Sequence, residues 1–206
     1  VERGQEVSGS GGLIWYEELG YGYYPVALNG QYGQAYFENY QNYRCSPIAG
    51  DLMKARVALV QKYCLDGPVV DIGIGSGHFI DSRKAKTYGY DVNPCGIRWL
   101  LDRNLWFDPF AQSPDAVTCW DTLEHMERPD LFLDRVRKFF FTSIPIFEDA
   151  AHVLRSKHFK PNEHIWYWTR SGFLRWMQAR GFSCAEENCM ELELGREDIG
   201  TFVFRK

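Results

Sequence analysis

The chain has 206 residues, 45% hydrophobic and 16% aromatic, enough to bury one substantial core, and a single soluble domain is the default expectation. No stretch approaches the roughly 20 apolar residues needed to span a bilayer, and residues 1–12 are polar and glycine-rich rather than signal-like, so no membrane partner is expected. A net charge of −4 argues against a protein that coats duplex DNA, and six cysteines (Cys45, Cys64, Cys95, Cys119, Cys184, Cys189) without a CxxC pair suggest reduced thiols in the cytoplasm rather than disulfides or a structural zinc.

In chain order, residues 1–12 read as a flexible tail. Residues 13–50 hold eight of the twelve tyrosines (Tyr16, Tyr21, Tyr23, Tyr24, Tyr32, Tyr36, Tyr40, Tyr43) without a sustained helical or strand period. Residues 1–50 are therefore set apart as an N-terminal tail and tyrosine-rich segment, and 51–206 as the catalytic-type domain. Asp51 to Cys64 reads as an amphipathic helix, stopped by Gly67-Pro68. The apolar run from Val69 to Ile72 then reads as a buried parallel strand, interrupted only by Asp71.

Glycines follow at every second position, Gly73, Gly75 and Gly77, and a helix is expected over 78–86. Such a turn is tight and brings backbone N–H groups toward a ligand. The dinucleotide fingerprint GxGxxG requires a glycine at 78, where His78 stands; Gly77 comes one residue early. That spacing favours a nucleoside cofactor without a pyrophosphate.

A second strand over Tyr88–Val92 carries Asp91, 20 residues after Asp71, the offset at which an acid accepts hydrogen bonds from ribose hydroxyls. Asn93-Pro94 ends it, a helix follows over Ile97–Asp102, and Leu105–Phe107 is a third strand ending at Asp108, which reads as a turn cap before Pro109. A fourth strand, Asp115–Trp120, leads into Asp121-Thr122-Leu123-Glu124-His125. Next come a helix over Pro129–Lys138, a strand over Phe141–Ile146, a helix over Thr169–Gly181, and two closing strands near Met190–Leu194 and Thr201–Phe204. Strands alternating with helices and ending in a hairpin predict an α/β fold with a doubly wound, mostly parallel sheet.

The run Asp71-x-Gly73-x-Gly75-x-Gly77, with Asp91 and Leu123-Glu124-His125 beyond the fourth strand, resembles class I S-adenosylmethionine (SAM)-dependent methyltransferases across roughly residues 52–206. The resemblance implies a Rossmann-like sheet of seven strands with the last antiparallel. It implies a SAM cradle of Asp71, Gly73, Gly75, Gly77 and Asp91, with Asp121 near the methyl donor. It also implies that the segment before the glycines folds over the cofactor as a lid, an alternative to a packing surface. The expected reaction is methyl transfer to a hydroxyl or amine of a small-molecule or nucleotide-containing acceptor. An NAD-dependent oxidoreductase fits the glycine spacing and the LEH run less well, and a binding or assembly protein that has lost turnover is the alternative outside enzymes.

Asp121, Glu124 and His125 fall at i, i+3 and i+4, which on one helical turn shares a face. With His164, before Trp166-Tyr167-Trp168-Thr169-Arg170, this resembles the ExxEH metal site of small-RNA 3′-terminal 2′-O-methyltransferases, and the EH pair of ubiquinone-biosynthesis O-methyltransferases. The resemblance implies Mg²⁺ or Mn²⁺ on Asp121, Glu124, His125 and His164, and RNA among the acceptors, although Asp121 stands where glutamate is usual. Without metal, the same residues form a capping box on Asp121 and Glu124, and His125 or His164 is the candidate general base. From Ala151 to Arg180, six basic residues face one acid, Glu163. That excess suits an anionic substrate, while a solvated helix face is the simpler reading.

Overall fold

The computed structural model describes residues 4–25 and 32–206; the remaining parts of the expected tail and tyrosine-rich segment lie outside the described residues. In chain order the elements are β1 (Gln5–Glu6), β2 (Ile14–Tyr16), β3 (Tyr21–Tyr23), α1 (Gln34–Tyr43), α2 (Pro47–Tyr63), β4 (Val69–Ile72), α3 (His78–Ser82), β5 (Thr87–Tyr90), α4 (Pro94–Leu101) and β6 (Ala116–Trp120). A 3₁₀ turn at Leu123–His125 precedes α5 (Asp130–Leu133), β7 (Phe139–Phe147), α6 (Ala150–Arg155), β8 (Trp166–Thr169), α7 (Arg170–Gln178), β9 (Ser183–Asn188), α8 (Met190–Glu193) and β10 (Ile199–Arg205). The class is the expected α/β, with parallel strands at the centre and antiparallel strands at an edge. Ten strands, not seven, occur among the described residues.

The helix starts follow local capping chemistry. The Ser46 side chain accepts from the Ala49 N–H and Pro47 fills the first helical position, so α2 begins four residues before the expected Asp51. Asn93 and Pro94 start α4 in the same way, and Thr169 caps α7. The helix expected over 129–138 is a single turn, because Arg137, Lys138 and Phe139 give their N–H groups to the carbonyls of Pro114 and Asp115 instead of continuing it.

The chain divides into two compact units. One comprises the described residues of 31–120 with 131–142 and Lys206. Its centre is β4, all four residues buried, flanked in parallel by β5 and β6 with Asp71 opposite Gly89 and Thr118. Burial on both faces is why β4 reads as an almost unbroken apolar run. Ile74, Ile80 and Leu100 form a core cluster beside Gly89, where a Cβ would lie 2.7 Å from both Ile74 and Leu100. The expected strand at 105–107 reduces to one bridge, Gly89 with Trp106.

The other unit comprises the described residues of 1–30 with 121–130 and 143–205. Its antiparallel ribbon β1-β2-β3 continues onto β8, which lies parallel to the end of β7 through Ile146 and Phe147. The described part of the expected tail is therefore paired: Gln5 and Glu6 face Trp15 and Ile14, and buried Ser10 accepts from the Leu13 N–H. The aromatic run at 166–169, expected only to precede a helix, is strand β8, with Tyr167 and Trp168 fully buried. The antiparallel closing pair is β9 with β10; the stretch at 190–193, expected as a strand, is the short helix α8.

Candidate functional site

The glycine turn lies between β4 and α3. Gly73, Gly75 and Gly77 all have positive φ (74°, 54° and 74°), a conformation that costs an L-residue with a Cβ roughly 1–2 kcal/mol. Space is equally restrictive. A Cβ on Gly75 would lie 3.1 Å from the Tyr40 ring, and one on Gly77 would lie 2.6 Å from the Trp99 ring. The amides behave differently from the expectation that they face a ligand. Gly73 donates to the Tyr90 carbonyl and Gly77 to that of Ile74, while the Ile74 and Gly75 N–H groups are directed to the Asp91 carboxylate. The turn is thus braced by the next strand, because Asp91, at the end of β5, also receives the N–H groups of Val92 and Asn93.

Two buried acids support this turn. Asp71 accepts the Thr118 hydroxyl at 2.7 Å, and burial pushes its pKa to about 7 against the pull of that hydrogen bond and of Arg56. Burial also raises the pKa of Asp91, opposed by its four backbone donors. Those four donors match the roughly four lone-pair sites of a carboxylate, so a further hydroxyl would have to share or displace one of them. Asp108 is a turn cap, accepting from the N–H groups of Phe110 and Ala111. From just before α1 and along it, the Tyr32, Tyr36 and Tyr40 rings follow one another at centroid separations of 5.1 and 5.0 Å, and the ladder ends over Gly75.

The other unit holds a second constellation. Glu124, His125 and His164 each offer a ligand atom within 4.8 Å of the others. The two imidazoles meet edge to face at 4.6 Å. His125 Nδ1 lies 3.0 Å from the Glu163 carbonyl oxygen, to which it donates, so the lone pair is on Nε2. Glu124 Oε2 and His164 Nδ1 are buried without a hydrogen-bond partner. Burial holds the Glu124 carboxyl well above its usual range, depresses His125 to about 4, and depresses His164 as well. Burial thus disfavours the charged form of all three groups.

Asp121 does not join it. The residue has a left-handed backbone with φ of 51°, which ends β6 before any helical turn begins, so the shared face expected from the i, i+3, i+4 spacing does not form. Its Oδ1 accepts the Ser143 hydroxyl at 3.2 Å and its Oδ2 accepts Arg196 at 2.9 Å. Arg196 also binds fully buried Glu191. Nor is there a capping box: the 3₁₀ turn starts at Thr122 with no side-chain cap. Arg196 was not legible as a partner of Asp121, since it lies 75 residues away in a segment that reads as a charged turn. Three of the six basic residues between 151 and 180 are ion-paired: Lys157 with Glu197, Lys160 with Glu163 and Arg170 with Glu187.

The methyltransferase-domain family model matches residues 48–187. No curated protein matches by sequence. Among solved structures, a SAM-dependent methyltransferase from Archaeoglobus fulgidus is 16% identical and superposes with a TM-score of 0.59, over 84% of this chain and 100% of that one. Magnesium protoporphyrin IX methyltransferase from Synechocystis PCC 6803, with bound S-adenosylhomocysteine, is 15% identical with a TM-score of 0.55, over 82% and 94%. The [4+2]-cyclase SpnF is 15% identical with a TM-score of 0.54, over 77% and 81%. At these identities the structures share the fold. Since the family model covers more than half of the chain, around the Gly73–Gly77 turn, this chain belongs to the methyltransferase-domain family of SAM-dependent enzymes.

Proposed function

We propose that the chain transfers the methyl group of SAM to a hydroxyl or amine of a small-molecule or nucleotide-containing acceptor, with RNA among the latter. The observation that carries this reading is the left-handed glycine turn after β4, braced by a buried acid at the end of β5. SAM, when bound, supplies a positively charged sulfonium from which an in-line nucleophile takes the methyl group, so the protein mainly binds and orients. Gly73, Gly75 and Gly77 leave the turn free of Cβ atoms, Asp91 accepts from the ribose hydroxyls, and Asp71 fixes the turn from beneath through Thr118. Tyr40 and its ladder supply the lid, and Asp121 remains assigned to the cofactor.

In the absence of a bound cation, His125 or His164 is the candidate base, since a neutral imidazole takes a proton from a hydroxyl or ammonium acceptor. A divalent cation, read from the sequence as Mg²⁺ or Mn²⁺, would sit on Glu124, His125 and His164, the three of the four expected residues that the fold gathers. Free cysteines support a reducing, cytoplasmic setting, and no helix of the described residues is long and apolar enough to cross a membrane. One structural neighbour is a magnesium protoporphyrin IX methyltransferase and another, 1,6-didemethyltoxoflavin-N1-methyltransferase, holds 1,6-didemethyltoxoflavin, which supports a small-molecule acceptor here.

The test is calorimetry with SAM, S-adenosylhomocysteine and NAD, followed by mass spectrometry of candidate acceptors incubated with labelled SAM. Binding of the two sulfur nucleosides without NAD supports the reading, and the opposite ranking rejects it.

A further inference from the structure

We infer that Glu124, His125 and His164 form a two-histidine, one-carboxylate site for a first-row transition dication such as Zn²⁺ or Co²⁺, and not a Mg²⁺ site. The inference rests on the ion site proposed above and names its chemistry. Three observations carry it, all within one compact unit.

First, the cluster contains two polar atoms that the protein leaves unsatisfied. Glu124 is 2% exposed and His164 is 3% exposed, and Glu124 Oε2 and His164 Nδ1 have no partner. Burying such atoms without a hydrogen bond is unfavourable, and a bound cation removes that cost. Second, His125 is oriented as a metal ligand. Its Nδ1–H is tied to the Glu163 carbonyl, which fixes the ring and directs the Nε2 lone pair away from that carbonyl; a backbone oxygen is a common outer partner of ligating histidines. Third, the oxygen donor that would have suited a hard ion is diverted. The Asp121 carboxylate is engaged by Ser143 on one oxygen and Arg196 on the other.

What remains is one oxygen and two nitrogens. Mg²⁺ favours octahedral oxygen ligands, whereas imidazole suits zinc, cobalt, iron and nickel, and the two-histidine, one-carboxylate set recurs with zinc and with non-haem iron. The ligand atoms lie within 4.8 Å, against roughly 3.4 Å for a tetrahedral ion with bonds of about 2.1 Å, so the side chains close inward on loading.

The test uses the whole protein stripped with chelator and titrated with Co²⁺, Zn²⁺ and Mg²⁺ alone, with metal content and visible absorption as readouts. One equivalent of Co²⁺ is expected, with absorption bands of a nitrogen and oxygen site and without the intense charge-transfer band of thiolate ligation, and millimolar Mg²⁺ does not displace it. Glu124→Gln, close to isosteric, should weaken uptake at least about 100-fold, while a stray site on exposed Cys45, Cys184 or Cys189 would be unaffected. His164→Phe provides a second variant, with circular dichroism to verify its fold. Absence of uptake by the unaltered protein, uptake unchanged in Glu124→Gln, or equal affinity for Mg²⁺ overturns the inference. SAM calorimetry on the same sample separates the two readings: SAM binding without metal uptake removes only this site, whereas metal uptake without SAM binding removes the methyl-transfer reading.

Discussion

Asp71 offers a direct measurement of how much the fold opposes a charge beneath the glycine turn. Its pKa is near 7 in the folded chain against an ordinary 3.8, because burial disfavours the ionised form more than Thr118 and Arg56 favour it. The folded state therefore holds this proton over a range in which the unfolded chain has released it. Its contribution is full below the unfolded value of 3.8 and is lost as pH rises from there through about 7; the window from about pH 5 to 8 captures the later part of that loss. Linkage over that window gives a loss of roughly 2.6 kcal/mol, equivalent to about 5–10 °C in melting temperature for a chain of this size. Asp71→Asn keeps an oxygen to accept the Thr118 hydroxyl at the same position and cannot ionise. Urea unfolding of both proteins at pH 5, 6, 7 and 8 isolates the effect, because Glu124, His125 and His164 contribute equally to both. The difference between variant and unaltered protein should grow in favour of the variant by roughly 2.6 kcal/mol across the window. Parallel pH profiles would show that Asp71 is ionised in the folded chain throughout, and the burial argument would fail.

Two glycine substitutions should act with opposite sign. Gly77→Ala combines a left-handed φ with a Cβ 2.6 Å from the Trp99 ring, so a loss of about 2 kcal/mol or more in denaturant unfolding is expected together with weakened SAM binding. Gly50→Ala, within α2 where a Cβ meets nothing within 4 Å, should stabilise by about 0.5–1 kcal/mol; destabilisation there would contradict the helix assignment. Arg196→Met removes the guanidinium shared by Asp121 and fully buried Glu191, and should cost about 3 kcal/mol in the same assay, much of it recovered by adding Glu191→Gln. Asp91→Asn should weaken SAM binding by about 1.5–3 kcal/mol in calorimetry, and unchanged affinity would remove Asp91 from the ribose.

The parallel centre of the fold was readable because its signals are local. A strand buried on both faces must be apolar along its length, as β4 is, and a turn with three left-handed residues requires glycines, as at 73, 75 and 77. The acid at the end of β5 was found by its offset from the first. Less local features were misread. The ribbon β1-β2-β3 depends on pairing with β8, about 145 residues later, and short three-residue strands carry too little alternation to stand out. The strand expected at 190–194 is the short helix α8, and the partner of β10 lies earlier, at 183–188, where it was not foreseen because β9 is largely exposed and charged and its strand state comes from pairing with β10.

At the Glu124, His125 and His164 cluster, three of the four expected residues were legible and the departure of Asp121 was not. Helical spacing placed Asp121 on the face of Glu124 and His125, but one left-handed residue at 121 and a hydrogen bond to Arg196 took it elsewhere. His164 reached the cluster because its N–H and that of Ile165 anchor the loop to the Lys160 and Glu124 carbonyls. By itself the sequence determined the alternation of strands and helices and the position of the glycine turn, since backbone sterics and burial act within a few residues. Only the tertiary structure decided which acids stay buried and protonated, which are neutralised by a distant arginine, and which atoms remain free to take a ligand, because charge and solvation depend on every group the fold brings near.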